Sequence, residues 1–150
     1  MDAAAVERLR TSFTLVAKDN PVRITENFYD RLFRNHPEVR PMFPQDMSKQ
    51  KMGLASALSL VVKSADNLGK IEDVLLKMGA RHVAYGTKDE HYGVVSSNII
   101  ATLKELSGDA WEAQWEQDWT NALNLVAAVM IRGSNEFIAK QKAEQSTKSD

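Results

Sequence analysis

Apolar residues recur every three to four positions, first as Val6, Leu9, Phe13 and Val16 and then as Ile24, Phe28 and Leu32. That spacing gathers them on one face of a helix, where they bury together while the intervening polar residues stay in water. The same rule holds for Leu54, Leu58, Val61 and Val62, for Ile71, Val74, Leu75 and Met78, and for Tyr92, Val95, Ile99 and Leu103. It ends with Trp111, Trp115, Trp119, Leu123, Val126 and Met130. No comparable run of strand-like alternation is present, and no repeat of helix-pair length is evident.

The punctuation agrees with the periodicity. All four prolines fall within the first 44 residues. Asn20 before Pro21 reads as an N-cap followed by proline at the first helical position, and Asp46 or Ser48 caps the helix after the proline-rich corner. Gly86 ends the segment carrying His82, and Gly108-Asp109 separates the last two helices. The pattern predicts an all-α fold of about six long helices with a short turn at 37–42. The polar end KAEQSTKSD reads as a frayed tail. The expected organisation is therefore one domain over 1–141 and a polar tail over 142–150.

Composition narrows the classes of partner. The chain has 150 residues, 19 basic and 20 acidic, for a net charge of -1. There is no overall positive field to draw nucleic acid or an anionic membrane. The longest nearly unbroken apolar run, Leu123 to Ile131, contains Asn124 and falls short of the roughly 20 residues that span a bilayer. The N-terminus MDAAAVERLRTS lacks the apolar stretch of a signal peptide, so the expected compartment is the cytoplasm. With no cysteine, iron–sulfur clusters and thiolate-held or thioether-linked cofactors are excluded. Any metal must be held by His, carboxylate or Met.

The three histidines do not form a cluster with metal-ligand spacing. His36 precedes Pro37 and reads as a helix-boundary residue, and His91 lies in the DEHYG turn. His82 follows Met78 by one helical turn and precedes Gly86, which places its imidazole near the inner edge of a helix end. Taken alone, such a histidine is more often a satisfied core or surface residue than a ligand. The stripe Trp111, Trp115, Trp119 reads as core or subunit contact, and the scattered lysines, Lys49, Lys51 and Lys63 among them, as solvated faces.

The neighbours of His82 change that reading. FYDRLF (28–33), NHPEVRPMF (35–43) and GARHVAYGTKDEHYGVV (79–95) occur in an order that resembles the globin family. Within it the chain is most similar to bacterial single-domain haemoglobins and the haem domains of flavohaemoglobins, from about Val6 to Phe137. The resemblance implies a globin fold of six to eight helices around a pocket for haem b, iron protoporphyrin IX. It implies His82 as the proximal iron ligand, Phe43 as the ring stacked on the haem, and Pro37 as the start of the short helix leading to that corner. On the distal side it implies Tyr29 as hydrogen-bond donor to the bound gas, Gln50 as the distal glutamine and Leu54 as the residue limiting pocket volume. Gln50 and Leu54 are four apart and share a helix face; a register shifted by one would turn Lys49 or Lys51 inward instead. This helix carries no histidine, so an open or water-occupied sixth site is expected.

One departure stands out in the resemblance. Tyr92, ten residues after His82, matches a tyrosine that pairs with a glutamate beside the proximal histidine and raises its electron donation. Here Ser134 stands at the glutamate position, and Glu136 is on roughly the opposite helix face. The peroxidase-like push is thereby in question.

The function implied is reversible, high-affinity binding of dioxygen, with NO and CO as further diatomic ligands. The alternative is nitric oxide dioxygenation, or weak peroxidase activity, dependent on a separate reductase, because the chain ends just after the globin region without a flavin or nicotinamide domain. A haem-free interaction module and a gas sensor are further readings, since a fold does not fix a function.

Overall fold

The computed structural model describes residues 1–148, which contain six α-helices, three short 3-10 turns and no strand. The helices are α1 (Ala3–Ala17), α2 (Val22–Asn35), α3 (Ser48–Lys63), α4 (Glu72–Ala84), α5 (Asp89–Ser107) and α6 (Ala113–Lys148). The 3-10 turns are Pro37–Met42, Leu68–Ile71 and Gly108–Ala110. The all-α expectation holds, as does the turn at 37–42.

Local chemistry sets the boundaries. The Asp2 carboxylate accepts the Ala5 N–H at 2.8 Å and starts α1, satisfying a donor that a helix terminus leaves free. Asn20 Oδ1 accepts from Val22 at 3.2 Å at the entrance to α2, and Asp46 Oδ1 accepts from Ser48 at 3.0 Å at the entrance to α3. Glu72 and Asp73 open α4 and Arg81 lies in its last turn, each sign complementing the helix dipole. Beyond α4, Gly86 takes φ +77°, and Gly108 takes φ +56° at the end of α5; both are left-handed values that glycine adopts without strain.

The predicted stripes face inward except at Val74 of α4, which is exposed. Leu9, Ile24, Leu32, Leu75 and Leu103 are essentially inaccessible, each burial stabilising the fold by about 1.5–3 kcal/mol. Trp115 and Trp119 are core residues: Trp119 is fully buried, donates from Nε1 to Ser12 Oγ at 2.8 Å and packs on Phe13. Beside them Arg8 grips the buried Asp118 carboxylate through Nε and Nη2, tying α1 to α6.

The C-terminal reading differs. α6 continues through Lys148 where a frayed tail is expected from Lys142; residues 149 and 150 of that tail lie outside the described residues. The segment from Ala139 to Gln145 holds only Ala, Lys, Gln and Glu, all strong helix formers, and has neither Gly nor Pro to stop it. An apolar stripe is needed to bury a helix and not to extend one.

The core is split in a way that positions the site. The larger apolar cluster joins α1, α2, α3 through Leu58 and Val62, α5 and α6 around Phe28, Leu32 and Trp119, with Phe43 and Leu54 packed on its edge. A smaller one gathers Val61, Ile71, Leu75 and Met130, with Met78, Tyr92 and Val126 on its edge. α3 packs on α1 and α2, whereas α4 packs on α6 and on Leu68–Ile71. Val61 of α3 and Leu75 of α4 share the smaller cluster, while Gln50 stands near the start of α3 and His82 near the end of α4.

Candidate functional site

On α4, His82 Nδ1 lies 2.5 Å from the Met78 carbonyl oxygen, one turn back along the helix. A carbonyl oxygen only accepts, so Nδ1 carries a proton, and in the neutral imidazole the lone pair is then on Nε2. The helix backbone thereby fixes both tautomer and ring orientation. Tyr85 meets the imidazole edge-on with centroids 5.6 Å apart, and Tyr92 from the first turn of α5 lies at 6.2 Å, tilted.

A second group of expected site residues is gathered by α2 and α3. Gln50 Nε2 donates to Tyr29 Oη at 3.2 Å. Of the three neighbours, Lys49 is exposed and Gln50 and Lys51 are half-buried, and Gln50 is the one hydrogen-bonded to Tyr29. Phe43 presents its edge to Tyr29 at 5.6 Å, and Phe33 bridges the two at 5.8 Å from Tyr29 and 5.3 Å from Phe43. The Arg40 guanidinium caps Phe33 at 4.9 Å, a cation–π contact that holds the corner. Burial pushes the Tyr29 hydroxyl up to about 12, against a smaller opposing effect of Gln50, so it remains a proton donor across the physiological range.

The expected site residues thus fall into two groups. Tyr29, Gln50, Phe43 and Leu54 belong to the α2–α3 side, and His82 and Tyr92 to the α4–α5 side. Phe33 and Tyr85 were not anticipated as participants. Phe33 lies four residues after Tyr29 inside FYDRLF, a spacing that already put it on the same face. His91 sits not in a turn but in the first turn of α5, where its Nδ1 accepts from the Lys88 N–H at 2.9 Å.

The proximal departure persists in three dimensions. Tyr92 Oη is buried and has no hydrogen-bond partner. Burial, and secondarily the charge of Asp89, push its hydroxyl up. Ser134 is buried, while Glu136 is exposed and directed to Arg132 at 3.9 Å.

The donor set indicates the kind of group these residues could hold. No cluster of three or more His, Asp or Glu side chains occurs among the described residues. A lone imidazole cannot hold a bare ion, but it suits a metal whose other positions are filled by a macrocycle. Half-buried apolar side chains on both sides, Phe43 and Leu54 on one and Met78 and Val126 on the other, suit the faces of a flat apolar ring. An open surface groove of about 450 Å³ on the outer side of α3, between Pro21 and Lys63, shares none of these residues. No helix of the described residues is long and apolar enough to cross a membrane.

Comparison with known proteins supplies a frame for this geometry. The globin family model matches residues 26–130. The flavohemoprotein of Bacillus subtilis (strain 168) is 30% identical over 148 residues, covering 97% of this chain and 37% of its own length. The chain thus spans just over a third of that relative. Among solved structures, a bacterial globin from Campylobacter jejuni superposes with a TM-score of 0.82 at 23% identity, covering 92% of this chain and 99% of its own. A Malassezia yamatoensis flavohemoglobin with bound FAD and heme does so with a TM-score of 0.76 at 17% identity, covering 92% of this chain and 37% of its own. At these identities the two likenesses speak to the fold.

Proposed function

The chain belongs to the globin family, and from that premise we propose that it holds haem b through His82 and binds dioxygen reversibly, for delivery, storage or scavenging. The observation that supports the reading is the His82 Nδ1 to Met78 carbonyl bond, which leaves Nε2 as the imidazole nitrogen available to an iron; the opening for the haem would lie between it and the Tyr29–Gln50 pair. When bound, the haem would be held by His82 and would supply an iron able to take a diatomic gas reversibly.

The rest is the work of the protein's own side chains. Phe43 and Leu54 keep the distal opening apolar and exclude water from it. Gln50 donates to the Tyr29 oxygen, which leaves the Tyr29 O–H proton to donate toward the gas. A donor to a partly charged ligand stabilises it by about 1.5–3 kcal/mol, or roughly 10- to 150-fold in affinity. The pair therefore supports tight, slowly released dioxygen. The test is the visible spectrum of the haem-loaded protein, reduced and then cycled between argon, air and carbon monoxide. Reversible spectral changes with each gas are expected, and an invariant spectrum would overturn the reading.

A second reading is nitric oxide dioxygenation, which combines nitric oxide, dioxygen and one electron into nitrate with a separate reductase as electron source. The similarity to a flavohemoprotein over nearly the whole chain favours it. Stopped-flow mixing of the oxygenated protein with nitric oxide, followed by turnover with a candidate reductase, separates the two. Weak peroxidase activity has less support, because Tyr92 Oη lacks a carboxylate partner.

A further inference from the structure

Two glycines on facing helices meet each other's backbone. A Cβ on Gly79 of α4 would lie 1.8 Å from the Met130 carbonyl oxygen, and one on Gly133 of α6 would lie 2.1 Å from that of Leu76. Both distances are well under the 3.0 Å that real Cβ atoms keep, and every atom in the way is backbone. Each glycine faces the residue one turn before the other glycine, so the helices cross in antiparallel sense with two reciprocal contacts. Such an approach is closer than the ordinary 8–10 Å between helix axes allows, and it brings Cα–H groups against carbonyl oxygens.

The crossing matters because of what α4 carries. α6 is the main helix on which α4 packs. Gly79 precedes His82 by three residues and so lies on nearly the same face. His82 is in turn bound to the α4 backbone through Met78. The depth at which α4 settles on α6 therefore sets the position of the imidazole.

We propose that Gly79 and Gly133 are positioning residues for His82: their backbone-to-backbone crossing fixes how far Nε2 reaches into the opening. The inference rests on His82 being the axial ligand. A methyl group at either glycine must push the helices apart by about an ångström, carrying the imidazole with α4.

The test is resonance Raman of the ferrous haem-loaded protein, read at the iron–histidine stretching band. Gly133→Ala and Gly79→Ala are expected to shift or broaden this band by several wavenumbers. Gly53→Ala, at an exposed helical glycine with nothing within 4 Å of its Cβ, leaves it unchanged. In a His82→Gly background supplied with free imidazole, the ligand is no longer tethered to α4, and adding Gly133→Ala then has no effect on the band. A general loss of stability does not produce that dependence on the tether. An unshifted band in both alanine variants overturns the inference, as does a Gly133→Ala shift that persists with free imidazole. If His82→Gly without imidazole keeps the wild-type band, it is instead the assignment of His82 that fails. Should neither alanine variant fold, the wild-type carbon monoxide form still decides by NMR. Cross-peaks from the Gly79 Hα protons to Met130 and from those of Gly133 to Leu76 are expected, and their absence rules out the crossing.

Discussion

The Gln50 side-chain amide donates to the Tyr29 hydroxyl oxygen at 3.2 Å, joining α3 to α2. One bond thus does two things: it anchors the face of α3 that turns inward, and it leaves the phenolic proton free for a third group.

Replacement of Tyr29 by Phe removes that proton while keeping the ring that Phe33 and Phe43 pack against. Dioxygen dissociation from the haem-loaded protein is expected to accelerate roughly 10-fold or more. Displacement by carbon monoxide in a stopped-flow experiment measures it, and an unchanged rate removes Tyr29 from the distal role.

The effect should not depend on pH near neutrality. Burial favours the neutral phenol and raises Tyr29 from 10.0 to about 12 in the folded protein. The contribution to stability is therefore complete below about pH 10 and lost between about 10 and 12, where the unfolded chain gives up its proton first. The ratio of Tyr29→Phe to wild-type dissociation rates should stay level from about pH 6 to about pH 10; a ratio that collapses near neutrality contradicts the buried, protonated hydroxyl.

Tyr92 should behave differently, since its buried hydroxyl has no partner. Tyr92→Phe removes an unsatisfied polar atom and is expected to change unfolding free energy by between zero and about 1 kcal/mol in the stabilising direction. Urea denaturation measures it. A loss of 2 kcal/mol or more, about the value of a satisfied buried polar contact, means that the hydroxyl has a partner after all.

Trp119→Phe tests the core away from the opening. It deletes the donor to Ser12 Oγ and leaves unfilled space where the second ring was. The expected cost is about 1–3 kcal/mol. At about 2–4 °C per kcal/mol the drop in Tm is readily seen by calorimetry, while dioxygen dissociation stays as in the wild type.

What was legible in the sequence was local. Helical periodicity, Asn20, Asp46, Gly86 and Gly108 act within a few residues, so the helices and their ends follow from neighbours along the chain. The face shared by Tyr29 and Phe33 is equally local. The register of α3 was not, because Lys49, Gln50 and Lys51 are distinguished only by which one meets Tyr29, on another helix. Arg8 with Asp118 and Ser12 with Trp119 span more than a hundred residues each; no spacing rule reaches that far. The Gly79–Gly133 crossing is of the same kind. Each glycine is an unremarkable helical residue until the helices are brought together. The helical end of α6 was missed for a different reason, a polar composition being taken for lack of structure.

The central claim is that His82 is the residue through which this globin holds haem. Haem titration of the apoprotein, followed by absorption in the ferrous state, tests it most directly with wild type and His82→Ala side by side. The account predicts one equivalent bound by wild type with the Soret band of a five-coordinate histidine-ligated haem, and loss of that band together with much weaker binding in His82→Ala. Identical spectra and affinities for the two proteins would contradict it.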